Sequence, residues 1–204
     1  TRALWEKQNQ HHGDRWRLFR AVGAAVDADT VLYPGSYVDR APSFVFRSVT
    51  YVDIDRRAAA FFADEAGVGE IVATHPGGPT DPEIRFVHAD YTDDLGLERS
   101  RVDLLVSLYA GFVSEHCTDH LRSGGTLLVN PSHGDAAMAS IDPRYELCGV
   151  VESRSGEYRV RVDDLDAYLV PKKPVDLTPE FLHDWGRGIT YTRPAFAYLF
   201  TRVA

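Results

Sequence analysis

The segment from Thr30 to Asp55, TVLYPGSYVDRAPSFVFRSVTYVDID, constrains this chain more than any other. It opens on the buried-strand residues Val31 and Leu32 and turns at Pro34-Gly35-Ser36. A short helix follows from Pro42, which suits a first helical turn, to about Arg47. A second strand then runs from Val49 to Asp53 and ends in acid. Strand, glycine turn, helix and acid-tipped strand make the first half of a nucleotide-binding α/β sheet. The turn lets backbone approach a ligand, and the carboxylate accepts hydrogen bonds from ribose hydroxyls. Gly35 and Asp53 are spaced close to the roughly 20 residues that this geometry needs.

The rest of the chain continues the alternation. Apolar runs of strand length lie at Ile84 to His88, Val102 to Leu108 and Thr126 to Asn130. Ahead of the first strand, Asp14 caps an amphipathic helix that reaches Val26. Asp55 caps a helix through Ala58, Phe61, Phe62 and Ala66, which Gly67 ends. The HPGGPTDP stretch over 75–82 is a loop by composition. A further helix runs from about Phe112 to Leu121, with Ser123-Gly124-Gly125 as its stop. Buried strands alternating with helices predict a doubly wound, Rossmann-like α/β fold with a mostly parallel sheet.

Beyond residue 135 the pattern changes. Tyr145 to Glu152, Glu157 to Val162 and Ala167 to Val170 read as strands joined by short turns. Pro171 to Pro174 is a linker, and Thr178 caps a short helix to Trp185 with Pro179 at its start. The alternating AFAYLFTRV stretch is a final strand. This part is expected to be antiparallel. The 204 residues suit one domain: a helical segment over 1–29, a nucleotide-binding core over 30–135 and an elaboration over 136–204.

Hydrophobic content of 44% with 25% charged residues is that of a soluble globular protein. The net charge of −8 argues against broad electrostatic binding to nucleic acid or anionic membrane. Arg15, Arg17 and Arg20 read as a solvated helix face. Cys117 and Cys148 are too few for a disulfide framework and read as unpaired, buried thiols. No signal peptide and no apolar run of membrane-spanning length is recognised in these residues, so a cytoplasmic location is expected. His116 and His120 would share one helix face, but no third ligand cluster joins them and no metal site is assigned. His11-His12 reads as flexible. Tyr168 and Lys172 form a Tyr-xxx-Lys pair, but Pro171 breaks the helix such a pair requires.

In its order of motifs the chain resembles the class I S-adenosylmethionine-dependent methyltransferases. The resemblance runs from about Val31 to Asn130, with an echo in the closing AYLFTRV strand. VLYPGSYVD stands where that family has its glycine-rich turn, and VTYVDIDRRA at the acidic end of its second strand. RFVHADYTDD resembles the segment whose acid faces the adenine. VDLLVSLYAGF and LRSGGTLLVN resemble the fourth strand and the turn into the fifth.

The resemblance implies S-adenosylmethionine as cofactor. Tyr33, Pro34, Gly35 and Ser36 would line its amino-acid end. Asp53 would hold the ribose and Asp90 the adenine amino group, with Tyr91 beside the ring. Ser107 and Leu108 would stand where cofactor and acceptor meet. Tyr109 and His133, each after a strand end, are the candidate bases. The fourth strand ends Ser-Leu-Tyr-Ala rather than in the Asn/Asp-Pro-Pro-Tyr pattern of enzymes that methylate nucleic-acid bases. With the acidic charge, this points to a small-molecule substrate and away from nucleic acid and membrane. The chain departs from the family in its first turn. Only Gly35 is present, and Tyr37 and Asp39 stand near the places of the other glycines. A methyltransferase-like binding or regulatory protein without catalysis is therefore the alternative. A nicotinamide-dependent oxidoreductase is a further one, on the general fold alone.

Overall fold

The computed structural model describes residues 1–9, 13–75 and 77–204. His11 and His12, and Pro76 of the 75–82 loop, lie outside the described residues. The strands are β1 Thr30–Pro34, β2 Ser48–Asp53, β3 Glu83–His88, β4 Val102–Ser107, β5 Leu121–Val129, β6 Tyr145–Arg154, β7 Glu157–Arg161 and β8 Ala197–Arg202. They form one sheet in the order β3-β2-β1-β4-β5-β8-β6-β7. β1 to β5 are mutually parallel, as the apolar runs predict. β8 is antiparallel to both β5 and β6, and β7 to β6. The β6–β7 hairpin turns at Ser155-Gly156, both at positive φ, the conformation whose twist matches a two-residue hairpin.

Burial on both faces explains the continuous apolar runs. Val31 and Tyr33 of β1 and Leu104 and Val106 of β4 point into one core. Leu32 and Leu105 between them point into the other, with Leu127 and Val129. Helices cover both faces: α1 Arg2–Gln8, α2 Asp14–Gly23, α3 Arg56–Ala63, α4 Glu65–Ala73, α5 Val113–Cys117, α6 Asp135–Ile141 and α7 Pro179–Trp185. Among the described residues, no helix is long and apolar enough to cross a membrane.

Several local expectations are corrected. α2 starts after Gly13 in a left-handed conformation, and Asp14 is its first residue rather than its cap. The helix after Pro42 is only a 3₁₀ turn, Ala41–Phe44. Gly67 does not end α3. Asp64 breaks the helix and caps α4 by accepting the Gly67 N–H at 3.0 Å. A Cβ at Gly67 would lie 2.4 Å from that carboxylate, so this glycine belongs to the second helix. The expected 112–121 helix stops at Cys117 and continues as a 3₁₀ turn, Thr118–His120. There the Thr118 hydroxyl bonds back to the Ser114 carbonyl, and Arg202 takes the Thr118 and Leu121 carbonyls. Ser123-Gly124-Gly125 lies inside β5, beside the register shift between Val102 and Leu104. Residues 167–170 are not a strand: a 3₁₀ turn, Leu165–Ala167, precedes Leu169 at φ 56.

Candidate functional site

β1 and β4 are neighbours, yet the chain visits β2 and β3 between them. Their carboxyl ends therefore form a topological switch point, the place where open α/β sheets leave a crevice for ligands. The loops after β1, β2, β3, β4 and β5 all open here.

The loop after β1 turns at Gly35, whose φ is 64. The N–H groups of Gly35 and Ser36 both donate to the Val52 carbonyl, at 2.8 and 3.4 Å. Tyr37 follows at φ 48, and its N–H donates to Asp53 Oδ2 at 2.7 Å. The other oxygen of Asp53 accepts the Asp55 N–H at 2.8 Å. Asp53 thus clasps the β1 loop to the end of β2. Asp55 caps α3, accepting the Arg57 N–H at 2.7 Å, and that cap with the Arg57 side chain lowers its pKa to about 2. The Arg57 guanidinium also lies 5.3 Å above the Tyr37 ring.

Tyr33 and Ser36 are buried. The Tyr33 ring packs between Phe19 and Tyr51, and its hydroxyl donates to Asp39 at 3.2 Å. Pro34 ends β1. Asp90 accepts the N–H and hydroxyl of Thr92 on one oxygen, at 2.9 and 2.8 Å. These bonds hold its pKa below the usual range. The Tyr91 ring is half-buried, and burial pushes its pKa up to about 12.

The loop after β4 comes across to meet the first. A Cβ at Gly35 would lie 2.3 Å from the Ala110 Cβ, so the two loops touch there. Leu108 is turned into the core. Ser107 donates to the buried Asp135 carboxylate, which also accepts the Ser114 hydroxyl at 2.5 Å. Tyr109 is exposed at φ 63; its N–H donates to Asn130 Oδ1 at 3.3 Å. This bond ties the loops after β4 and β5. His133, at φ 58, is exposed on the second of them.

Sequence reasoning missed the charges beneath the β1 loop. Arg15 is not on a solvated face with Arg17 and Arg20. Its guanidinium reaches Asp39 at 3.8 Å and lies 5.2 Å over the Tyr109 ring. Arg17 instead bonds the Gly156 carbonyl at 2.7 Å, and Arg20 stacks on Trp16. His116 and His120 sit on separate turns. His116 stands beside Tyr91, and His120 bonds the Glu98 carbonyl. Cys117 and Cys148 are both free.

The acids suit the nucleoside half of the expected cofactor, since Asp53 and Asp90 keep unused lone pairs at the ends of β2 and β3. On the resemblance the methionine half would lie beside Gly35, where the loops after β1 and β4 are in contact. Gly35→Ala is expected to cost about 1–3 kcal/mol, from overpacking and from the left-handed φ. Adding Ala110→Gly should return only the steric share. Thermal melts of the single and double variants check this; a Gly35→Ala variant as stable as wild type would mean the loops separate freely.

Neither a protein-family model nor a curated protein sequence matches the chain. Solved structures do. A candidate S-adenosyl-L-methionine-dependent methyltransferase of Methanococcus maripaludis is similar over 98% of this chain and 90% of its own, with TM-score 0.51 and 14% identity. An rRNA methylase of Streptococcus thermophilus is similar over 92% and 95%, with TM-score 0.49 and 9% identity. A candidate methyltransferase, solved in complex with the Haloferax volcanii methyltransferase activator, is similar over 98% and 95%, with TM-score 0.49 and 16% identity. The expected restriction to small-molecule partners is corrected by these last two. One is named for action on RNA and the other is held by a protein, so neither kind of partner is excluded.

Proposed function

From the fold of the class I S-adenosylmethionine-dependent methyltransferases, which this chain has, we propose that it binds S-adenosylmethionine at the carboxyl ends of β1 to β4 and transfers the methyl group. The observation that carries the reading is backbone strain. Tyr37, Tyr109 and His133 are bulky residues held at positive φ, and each follows a different parallel strand at the switch point. Such residues cost about 1–3 kcal/mol each and gather at functional sites.

The cofactor supplies an electrophilic methyl group on a sulfonium. Asp53 accepts from the ribose hydroxyls while keeping its two backbone bonds, and Asp90 accepts from the adenine amino group beside Tyr91. Backbone at Tyr33, Pro34, Gly35 and Ser36 borders the amino-acid end, with Ser107 and Leu108 opposite. Tyr109 borders the acceptor, and His133 takes the proton that the acceptor loses. Alignment and exclusion of water supply most of the rate in a displacement of this kind.

A non-catalytic relative is the second reading. It is favoured by the Gly35–Ala110 contact and by the occupied Asp53 carboxylate. Calorimetry with S-adenosylmethionine and S-adenosylhomocysteine separates the two. Wild type is expected to bind both. Asp53→Ala should bind about ten- to a hundredfold more weakly, from loss of a charged acceptor. It should also melt earlier, because two backbone N–H groups lose their partner. No binding by wild type at millimolar ligand would leave the non-catalytic reading standing.

A further inference from the structure

The segment from Pro171 to Thr190 encloses a cavity of about 350 Å³, within the roughly 300–1,000 Å³ typical of small-molecule sites. One wall is aromatic. The rings of Phe181 and Trp185 on α7 lie stacked, 6.0 Å apart and 15° from parallel. Trp185 is 47% exposed, an unusual place to leave an indole that packing could have covered. Lys172 and Lys173, which stand between Pro171 and Pro174 in the chain, also line the cavity. Arg187 places its guanidinium 5.3 Å from the centre of the Trp185 ring. None of the ion pairs among the described residues involves Lys172, Lys173 or Arg187, although other surface arginines pair with acids. Lys172 and Lys173 are the charged residues that line the cavity, and they stand with an exposed aromatic side chain, Trp185.

The cavity stands beside the candidate site. Gly188 lines it, and a Cβ there would lie 2.2 Å from the Pro131 carbonyl, at the head of the loop that carries His133. α7 is docked on the loop after β4. His183 packs edge-on against Phe112 at 4.9 Å and bonds Glu115 at 2.8 Å.

We propose that this cavity binds a planar aromatic ring bearing a carboxylate or phosphate. The ring packs against Phe181 and Trp185, and the anion meets the ammonium groups of Lys172 and Lys173. Aromatic faces accept flat rings, and flexible lysines serve as point charges for anions. This binding is told apart from nucleoside binding at Asp53 and Asp90 because it is read at Trp185 and is repeated with 2-naphthoate, which has no ribose.

The test is titration with adenosine monophosphate and with 2-naphthoate, read by tryptophan fluorescence and by calorimetry. Trp185 is one of 3 tryptophans; Trp5 and Trp16 lie in the N-terminal helices, so Trp185→Phe isolates its signal. Saturable quenching is expected in wild type and should vanish in Trp185→Phe. The Lys172→Ala/Lys173→Ala variant, altered only at exposed positions, should bind about tenfold more weakly by calorimetry. Adenosine and 2-naphthol, which lack the anion, should bind correspondingly less well. Binding of the monophosphate alone identifies a nucleotide-type ligand, and binding of the naphthoate alone an aromatic acid. The proposal fails if neither probe binds below about 10 mM, if the neutral analogues bind equally well, or if the double lysine variant keeps wild-type affinity.

Discussion

Replacing Asp39 by alanine is expected to cost about 3–5 kcal/mol of unfolding free energy, the loss typical when one partner is removed from a buried ionic group. The loop from Val38 to Phe44 is buried throughout. Asp39 accepts the Ala41 N–H at 3.1 Å and the Tyr33 hydroxyl, and faces Arg15. Burial raises its pKa, with Arg15 as the strongest opposing charge. Next to it, Arg40 is fully buried. Its guanidinium lies 5.5 Å from the Tyr51 ring and 5.3 Å from the Phe62 ring, with no acceptor in hydrogen-bond geometry on any of its nitrogens. Burial lowers the pKa of this group. Without Asp39, the fully buried Arg40 and the partly exposed Arg15 would both lose its negative charge. Asp39→Asn keeps an acceptor for Ala41 and should lose less. Arg40→Met should also lose less, because cation and desolvation penalty leave together. Urea unfolding of the three variants gives the ranking. A loss below about 1 kcal/mol in Asp39→Ala, the size of an ordinary substitution, would show that the cluster is not held by charge.

The second large effect is pH-dependent and belongs to Asp135. This carboxylate is fully buried at the start of α6 and is held by Ser107 and Ser114. Burial pushes its pKa up to about 6, although the serine bonds pull the other way. The unfolded chain ionises this group near the model-peptide value of about 3.9. The folded state thus binds the proton more tightly. Its contribution to stability is fully present below about pH 4 and is lost as pH rises through about 6. The two pKa values imply a change of about 3 kcal/mol. Asp103 works in the opposite sense. Burial would raise it, but Arg122 and Thr30 bring it down to about 2, so its stabilisation is lost in acid. Comparing wild type with Asp135→Asn cancels such groups. Between pH 4 and pH 8 the stability difference should shift by about 2.5 kcal/mol in favour of the asparagine variant, most of the full change, since the unfolded group is about half ionised at pH 4. A difference that stays flat across this range would place the Asp135 pKa near that of an ordinary carboxylate.

Local features were readable where the physics is local. The Asp55 cap depends on the next two residues and is found where the sequence puts it. The same holds for Thr178 at the start of α7, whose hydroxyl accepts the Phe181 N–H at 3.2 Å. Helix ends were misread where a distant group decides them. Arg202 closes the turn after α5 from the far end of the chain, and nothing near Thr118 announces it. Asp53 stands at the end of β2 as expected. Its two backbone partners depend on how the β1 loop folds back, which the run of residues does not specify.

The sequence by itself determined the parallel half of the sheet. An inner strand covered on both faces is apolar along most of its length, as in β1 and in Leu104 to Val106 of β4, and that demand is written within each run of five or six residues, while the edge strand β3 carries Glu83 and Arg85. It also determined the glycine turn and the acid at the switch point, because both are set by the ends of those strands. Only the tertiary structure decided what fills the space beneath the turn. Arg15, Asp39 and Arg40 come from two separate elements, and their charges matter only once packing has removed water from around them. The same is true of the C-terminal cavity. Lys172, Lys173 and Trp185 read in sequence as a linker and a helix end, and they line one cavity only after the chain has turned back past Gly186.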